Sequence, residues 1–305
     1  MKQKPILVVA LGGNALLKRG QPLEAELQQQ NIELAALQLA ALSEAWRIVL
    51  VHGNGPQVGL LALQNEAYTA TRPYPLDILV AETQGMIGYL LQQALQNRLP
   101  HRSIACLLTQ VLTDSNDPAY HSPSKYIGPS YQQADLARLD PSWQIKPDGH
   151  YFRRVVASPL PKKIIDAPAI ADLLVRDHLV ICCGGGGVPV IEQDGKRQGT
   201  PAVIDKDLAA AMLAEQLEAD ALLILTDAKA VYTDWNTPQQ RAITDIHSRE
   251  LAALSFDKGS MGPKVRACCD FVDKTQGLAG IGALDDALDI LTGKQGTRIH
   301  PHALL

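Results

Sequence analysis

Residues 4–11 (KPILVVAL) form an apolar run rich in β-branched side chains that stops at Gly12 and Gly13, the pattern of a strand buried on both faces of a parallel sheet. Between residues 24 and 45, Leu27, Ile32, Leu34, Leu37, Leu39 and Leu42 recur among Gln and Glu with helical rather than alternating periodicity, which predicts a long amphipathic helix. Residues 48–51 repeat the strand pattern and run into His52, Gly53, Asn54 and Gly55. Pro56 then stands where the first residue of a helix would lie. Helical patterns cover 57–68 and 77–99, and an apolar strand pattern covers 104–112.

The next stretch, 113–147, carries Asp114, Asn116, Asp117, Pro118, Pro123, Gly128, Pro129, Pro141 and Pro147. That density of breakers predicts an irregular excursion or small subdomain, and excursions of such length usually serve function. Regular patterning resumes with a strand at 151–158, a helix at 167–178 and a buried strand at 179–183 that enters Gly184, Gly185, Gly186 and Gly187. A helix at 206–217, a strand at 221–226, a helix at 263–274, a strand at 278–281 and a helix at 285–291 complete the chain. Strands alternating with helices predict a parallel, doubly wound α/β sheet with its sites at the carboxyl ends of the strands.

Composition narrows the function. With 305 residues the chain is long enough for one large α/β unit or two lobes, and its net charge of −4 supplies no basic field for a nucleic-acid partner. No run reaches the roughly 18 apolar residues of a membrane span, and the apolar run at 6–11 is too short for a signal-peptide core, so a cytoplasmic protein is expected. The five cysteines include two adjacent pairs, at 182–183 and 268–269, which suits neither a disulfide framework nor a metal site; they read as small buried apolar residues. No two histidines flank a carboxylate at helical spacing, so a metal held by side chains alone is not expected.

Three strand ends terminate in glycine clusters, at Gly12 and Gly13, at Gly53 beside Asn54, and at Gly184 and Gly185. Backbone N–H groups in such turns converge on one locus and bind phosphate oxygens. Glycines also serve merely as tight-turn residues, but three such corners together point to a phosphate ligand. The only Gly-Lys that resembles a Walker ending, Gly293-Lys294, is followed by Gln295, and Gly53-Asn54-Gly55 reaches its third glycine one residue too late for a dinucleotide fingerprint. Lysines provide the rest of the chemistry. Lys206 and Asp207 open one predicted helix, Lys264 opens another, and Lys125 lies in the excursion. Phosphoryl transfer needs positioning and charge neutralisation, which lysines and backbone donors supply without a covalent intermediate.

Together these motifs resemble the carbamate kinase branch of the amino acid kinase family, from about residue 6 to residue 299. The matching stretches are Ala10-Leu-Gly-Gly-Asn-Ala15, His52-Gly-Asn-Gly-Pro-Gln-Val-Gly59, Thr83-Gln-Gly-Met-Ile-Gly-Tyr89, Asn116-Asp-Pro118, Lys125 with Ile127-Gly-Pro129, Arg153-Arg-Val-Val156, the four glycines from Gly184, Val203-Ile-Asp-Lys-Asp207, and Gly259-Ser-Met261 with Pro263-Lys-Val265. Tyr74-Pro-Leu-Asp77 and Thr237-Pro-Gln-Gln-Arg-Ala-Ile243 are similar to the carbamate kinase-like proteins encoded with allantoin-degradation genes.

The resemblance implies a three-layer αβα sandwich around a mostly parallel sheet, with a small protruding subdomain, and a homodimer. It implies an acceptor-binding lobe at 1–200, with a lid-like insertion at about 113–157, and a nucleotide-binding lobe at 201–305. The implied reaction is phosphoryl exchange between ATP and carbamate, or carbamoyl phosphate and ADP in reverse, with Mg²⁺ carried by the nucleotide phosphates. Gly12, Gly13, Asn14, Gly53, Asn54, Gly184 and Gly185 would line the acceptor and the transferring phosphoryl group. Lys206 and Lys264 would neutralise it, Asp207 would orient those lysines, and Lys125 would swing in from the lid. Thr226, Tyr232, Met261 and Lys264 would contact the nucleotide.

Other branches carry a lysine two residues before the double glycine. Here that position is Ala10, and the resemblance implies that Lys125 would supply the missing charge. Two departures from the pattern stand out: Lys229 occupies a position that is usually acidic, which bears on nucleotide affinity. Lys146-Pro-Asp-Gly-His-Tyr151 replaces a Glu-Asp-Ala-Gly-Arg-Gly pattern close to the expected acceptor. They leave two further readings open, a kinase for another small acyl or carbamoyl acceptor and a nucleotide-binding sensor that has lost its rate.

Overall fold

The computed structural model describes residues 3–18, 20–257 and 260–301, with the side chains of Asn14 and Ala15 excepted. Strand β1 (Ile6–Leu11) leads into the short α1 (Gly13–Leu16) and the long α2 (Ala25–Leu42). Next come β2 (Arg47–His52), α3 (Gly55–Ala67) and α4 (Leu76–Arg98). The predicted strand at 104–112 is two strands, β3 (Ile104–Cys106) and β4 (Gln110–Leu112), which belong to different sheets. The break lies at Thr109, whose backbone N–H donates to Gln84 Oε1 and whose carbonyl accepts from Gln84 Nε2, so a side chain replaces the ladder there.

The excursion is a three-stranded antiparallel sheet of β5 (Lys125–Tyr131), β6 (Gln144–Asp148) and β7 (Tyr151–Val156), with β7 in the middle. Then follow β8 (Lys163–Ile164), α5 (Ala167–Val175), β9 (Leu179–Ile181), the hairpin of β10 (Val188–Gln193) and β11 (Lys196–Gly199), and α6 (Lys206–Gln216). The last part holds β12 (Ala221–Thr226), the β13 (Val231–Thr233) and β14 (Arg241–Ile243) hairpin, β15 (Asp245–His247), α7 (Ser248–Ala252), α8 (Met261–Thr275), β16 (Leu278–Ala283), α9 (Ala287–Ile290) and β17 (Thr297–His300). The predicted helix at 285–291 is thus shorter, a 3-10 turn running into α9.

Eight strands form the main sheet in the order β15-β17-β16-β12-β1-β2-β9-β3. The six from β16 to β3 are parallel, and β17 joins β16 antiparallel with β15 beyond it. Successive strand residues point to opposite faces, which divides the core in two. Val8, Ala10, Val49, Val51, Leu222 and Ile224 face α5, α6 and α8, while Leu7, Val9, Leu11, Ile48, Leu50 and Leu223 face α2, α4 and α9. Both faces are therefore covered, and three layers result.

Helix α2 buries Ile32, Leu39 and Leu42 of its predicted apolar set but turns two of its leucines outward. Leu34 and Leu37 are about half exposed, while Ala35, Ala36, Ile32 and Leu39 pack inward. Asn31 is buried among them because its amide donates to Leu16 O and Gln21 Oε1, at 3.3 and 2.8 Å. Cys182, Cys183, Cys268 and Cys269 are buried free thiols, and Cys106 is half-buried.

The three-stranded excursion is seated on α3. Arg154 of β7 bonds Glu66 of α3 at 3.0 Å, and the backbone of Gly128 lies directly against Gly59. A Cβ on Gly59 would stand 2.0 Å from Gly128 Cα, and Gly128 itself has φ of +71°. Neither backbone can yield as a flexible side chain would, so Gly59→Ala is expected to lower stability by roughly 1–3 kcal/mol, the cost of overpacking. Chemical denaturation reads this as a lower midpoint at unchanged m-value; an unchanged midpoint would show that the seat is not tight.

Candidate active site

Helix α6 begins immediately after Asp205, and that aspartate caps it. Asp205 Oδ1 accepts from the Asp207 backbone N–H at 2.9 Å and from that of Leu208 at 3.4 Å. Lys206 and Asp207 follow in the first turn, facing inward with only 8% and 2% of their surface exposed. A buried carboxylate survives only when paired, and Asp207 is paired twice. Its Oδ1 takes the Lys206 ammonium, and its Oδ2 takes Lys264 Nζ from the first turn of α8 at 3.0 Å. Asp205 uses its second oxygen, Oδ2, to bind Lys125 Nζ at 2.6 Å. Three lysines from three separate elements thus meet at the amino end of α6. Three ammonium groups against two carboxylates leave one positive charge in excess.

The electrostatics follow from burial and company. Desolvation lowers the pKa of Lys206, an effect that the adjoining Asp207 carboxylate offsets only in part. For Lys264 desolvation acts in the same direction, but Asp207 outweighs it and the pKa rises. Burial would raise Asp207; Lys206 and Lys264 overcome it and hold the carboxyl below the ordinary aspartate value. Asp205 is held lower too, burial being overcome chiefly by Lys125. Both carboxylates of the cluster are therefore ionised at neutral pH, Asp207 between two lysines and Asp205 against one.

Around it stand the glycine corners. Gly12 ends β1 with its N–H donating to Leu225 O at 2.8 Å, and a Cβ on Gly13 would meet nothing within 4 Å, so this corner opens onto free space. Gly53 ends β2; its Cα side lies against Gly13 and the Lys206 stem, where a Cβ would be 3.4 Å from both the Gly13 nitrogen and Lys206 Cδ. The third corner, the 3-10 turn Gly184–Gly186, packs on the second: a Cβ on Gly184 would be 2.5 Å from His52 Nε2, and one on Gly185 would be 2.2 Å from Asn54 Nδ2. Asn54 is buried and donates to Thr83 Oγ1 at 2.8 Å. The corners at 12–13, 53–54 and 184–185 and the lysines at 206, 264 and 125 consequently form one locus at the carboxyl edge of the sheet. The side chain of Asn14 lies outside the described residues.

Among the residues assigned to a nucleotide, Thr226 ends β12 beside Gly12 and donates to Asp227 Oδ1 at 3.1 Å, while Asp227 is one of the charges felt by Lys264. Met261 is the first residue of α8, and Gly259, part of the same motif, lies outside the described residues. Tyr232 lies on β13 with its ring 5.3 Å from that of Trp235. Lys229 is exposed in the turn after β12. The unusual segment 146–151 is the β6–β7 hairpin, and its side chains brace the excursion: Lys146 Nζ bonds Pro123 O at 2.7 Å, Tyr126 Oη bonds Pro147 O at 2.6 Å, and Asp148 pairs with Arg153 at 3.2 Å.

Sequence reasoning assigned no role to Asp205, His52, Thr83 or Gln84. Asp205 had a signal, an aspartate at a helix start; Thr83 and Gln84 had one as well, polar residues on the stripe of α4 that also buries Val80, Ile87 and Leu91. Among the described residues no group of three or more His, Cys, Asp or Glu side chains could hold a metal ion, and no helix is long and apolar enough to cross a membrane.

The model of the amino acid kinase family matches residues 5–278. A carbamate kinase of Escherichia coli O6:H1 is 56% identical over 297 residues, covering 96% of this chain and 98% of its own. The Giardia lamblia carbamate kinase bound to citric acid superimposes with a TM-score of 0.93 at 37% identity, covering 99% of this chain and all of the other. The same enzyme bound to AMP-PNP gives 0.89 at 38% identity over the same coverage.

His52 gives the site a pH signature. Its Nδ1 donates to Gly53 O at 2.9 Å, and burial, with a further contribution from Lys206, lowers its pKa from 6.5 to about 4. The unfolded chain takes up this proton near pH 6.5 and the folded chain only near 4, so stability falls as pH drops through that window, by about 3 kcal/mol in all. Denaturation midpoints measured from pH 7 to pH 4 should fall less steeply for His52→Gln than for the wild type. Parallel curves would remove His52 as the cause.

Proposed function

The chain belongs to the amino acid kinase family, and on that premise we infer that it is a carbamate kinase, exchanging a phosphoryl group reversibly between ATP and carbamate. The observation that carries the reading is the buried Asp207 shared by Lys206 and Lys264, with Lys125 arriving from the excursion and glycine corners facing the same space. In the catabolic direction a terminal oxygen of ADP attacks the phosphorus of carbamoyl phosphate, the bond from phosphorus to the carbamate oxygen breaks, and carbamate leaves, to take up a proton from solvent after release and break down to ammonia and CO2. Attacking and leaving oxygens are both anionic at neutral pH, so the reaction needs no general base. What it needs is relief of repulsion among anions in a fixed line.

Residue roles follow from position. Lys206 and Lys264, held by Asp207, neutralise the phosphoryl oxygens; backbone N–H groups at Gly13 and Gly184 orient the transferring group, while Gly12 and Gly53, whose own N–H groups are donated to Leu225 O and Leu11 O, line the site as bare backbone that allows close approach; Lys125 closes on it from the lid, the segment 113–157. Residues 1–200 bind the acceptor, and residues 201–305, with Thr226, Tyr232, Met261 and Lys264, bind the nucleotide. Both aspartates of the cluster are already engaged by ammonium groups, which fits a magnesium ion that enters on the nucleotide phosphates and supplies charge neutralisation there. In the segment 146–151 the side chains of Lys146 and Asp148 are spent on contacts within the lid.

A homodimer completes the reading. Ile78, Met86 and Tyr89 form an exposed stripe on α4, next to the edge strand β3 and exposed Leu108. An apolar stripe beside an open sheet edge suits a self-complementary interface with a second copy. Sedimentation is expected to show a dimer that Met86→Glu with Tyr89→Glu converts to monomer; a monomeric wild type would overturn the assignment.

For the activity, ATP formation from ADP, Mg²⁺ and carbamoyl phosphate is the direct assay. Lys206→Ala is expected to lower kcat by roughly 10²-fold or more, the loss seen when one preorganised electrostatic donor is removed. Unchanged turnover in that variant would sink the mechanism. ATP formed from acetyl phosphate but not from carbamoyl phosphate would shift the acceptor to another acyl compound, and ADP binding without any turnover would favour a sensor.

A further inference from the structure

Asp205 performs two tasks with its two oxygens. Oδ1 caps α6 and so orders the turn that carries Lys206 and Asp207, while Oδ2 receives Lys125 Nζ at 2.6 Å. The pair is well shielded, with 15% of the Asp205 side chain and 30% of the Lys125 side chain exposed. Its backbone surroundings already align the two elements. Lys125 starts β5 opposite Val156 of β7, and the next residue, Ala157, accepts from the Val203 N–H at 3.0 Å, two positions before Asp205. The base of the lid is thereby joined to the entry of α6, and the remaining freedom lies in the long Lys125 side chain, which four torsions would otherwise let wander.

We propose that Asp205 is the positioning residue for Lys125, fixing the lid's ammonium beside Lys206 and Lys264 in the geometry used for phosphoryl transfer. This rests on the carbamate kinase reading and deepens it. The arrangement repeats the logic of Asp207: one carboxylate on α6 serves two lysines, and its neighbour serves the third. A lysine has three donors, so Lys125 can keep one on Asp205 and turn the others to phosphoryl oxygens. The lid then does not deliver a free charge to the site; it delivers one whose place is set by the cap of the helix that carries Lys206 and Asp207.

Asp205→Asn separates the two tasks, because asparagine caps a helix about as well as aspartate and cannot supply the charge. The variant is expected to stay folded, with a denaturation midpoint lowered by the lost ion pair, and to keep the wild-type affinity for ADP. Its kcat for ATP formation from carbamoyl phosphate should fall roughly 10- to 100-fold, as expected for a misplaced catalytic group. In a Lys125→Ala background the same substitution should cost nothing further. Equal losses in both backgrounds, or no loss in the wild-type background, would overturn the proposal, since a cap acting through α6 would not depend on Lys125. Amide hydrogen exchange supplies a readout independent of turnover: the β5 amides next to Lys125 should exchange faster in Asp205→Asn, and unchanged exchange would also overturn it. If the wild type makes no ATP from carbamoyl phosphate, the functional reading fails, and the exchange experiment still decides the role of Asp205.

Discussion

A carboxylate with 2% of its surface exposed sets the terms for the active end of this molecule. Left alone, the charge of Asp207 would cost several kcal/mol of desolvation, so the fold must bring cations to it. It brings two, from the first turns of α6 and α8, and those helices can supply them only if they start side by side over the same strand ends. The alanine-rich inner face of α6, with Ala209, Ala210 and Ala214 fully buried, lets it lie close to β1 and α8. Packing and charge thus support one another. The small residues permit the approach that the ion pairs require, and the ion pairs tie together helix ends that the hydrophobic core alone would leave free to slide.

The same constraint explains the crowding of the glycine corners. Phosphate needs backbone donors close to the lysines, yet His52 and Asn54 already occupy the space at the end of β2. Side chains at positions 184 and 185 would collide with both, so the third corner can approach only as bare backbone. Lid and body meet on similar terms at Gly59 and Gly128. These contacts hold an anion-binding surface in place before any anion arrives, which is what preorganised electrostatic catalysis demands.

Most of this was legible in the chain because local and global preferences agree. Buried parallel strands read as uninterrupted apolar runs, and each glycine corner marks a strand end at the carboxyl edge of the sheet. What escaped detection depends on pairs distant in sequence. Leucines at 34 and 37 mark α2 as helical but misdirect its face, because alanines, which periodicity weighs lightly, pack inward. The apolar run at 104–112 hides a change of sheet whose cause, Gln84, is 25 residues away. Strand β17 was not predicted at all, because its four residues acquire strand character only by pairing antiparallel with β16. Among site residues, Lys125, Lys206, Asp207 and Lys264 stand out as charges in motif company, and the structure brings all four to one place. Asp205 carries no assigned role in the sequence, and its second oxygen, reaching a lysine 80 residues away, shows what it does.

Burial also separates the tasks of the ionisable groups. A reaction between two anionic oxygens has no proton to move, so a titrating base near the phosphoryl group would contribute only an unwanted charge change. His52 is the one histidine at the corners, and burial holds it neutral down to about pH 4. In that form it offers an N–H to Gly53 O and a compact surface for Gly184, a structural part with constant charge. The lysines show the complementary design. Each lies against a carboxylate whose own pKa is held below the ordinary range, so the negative partners of the cluster keep their charge across neutral pH. Constancy of charge, more than any single strong contact, is what suits this site to a phosphoryl group passing between two anions.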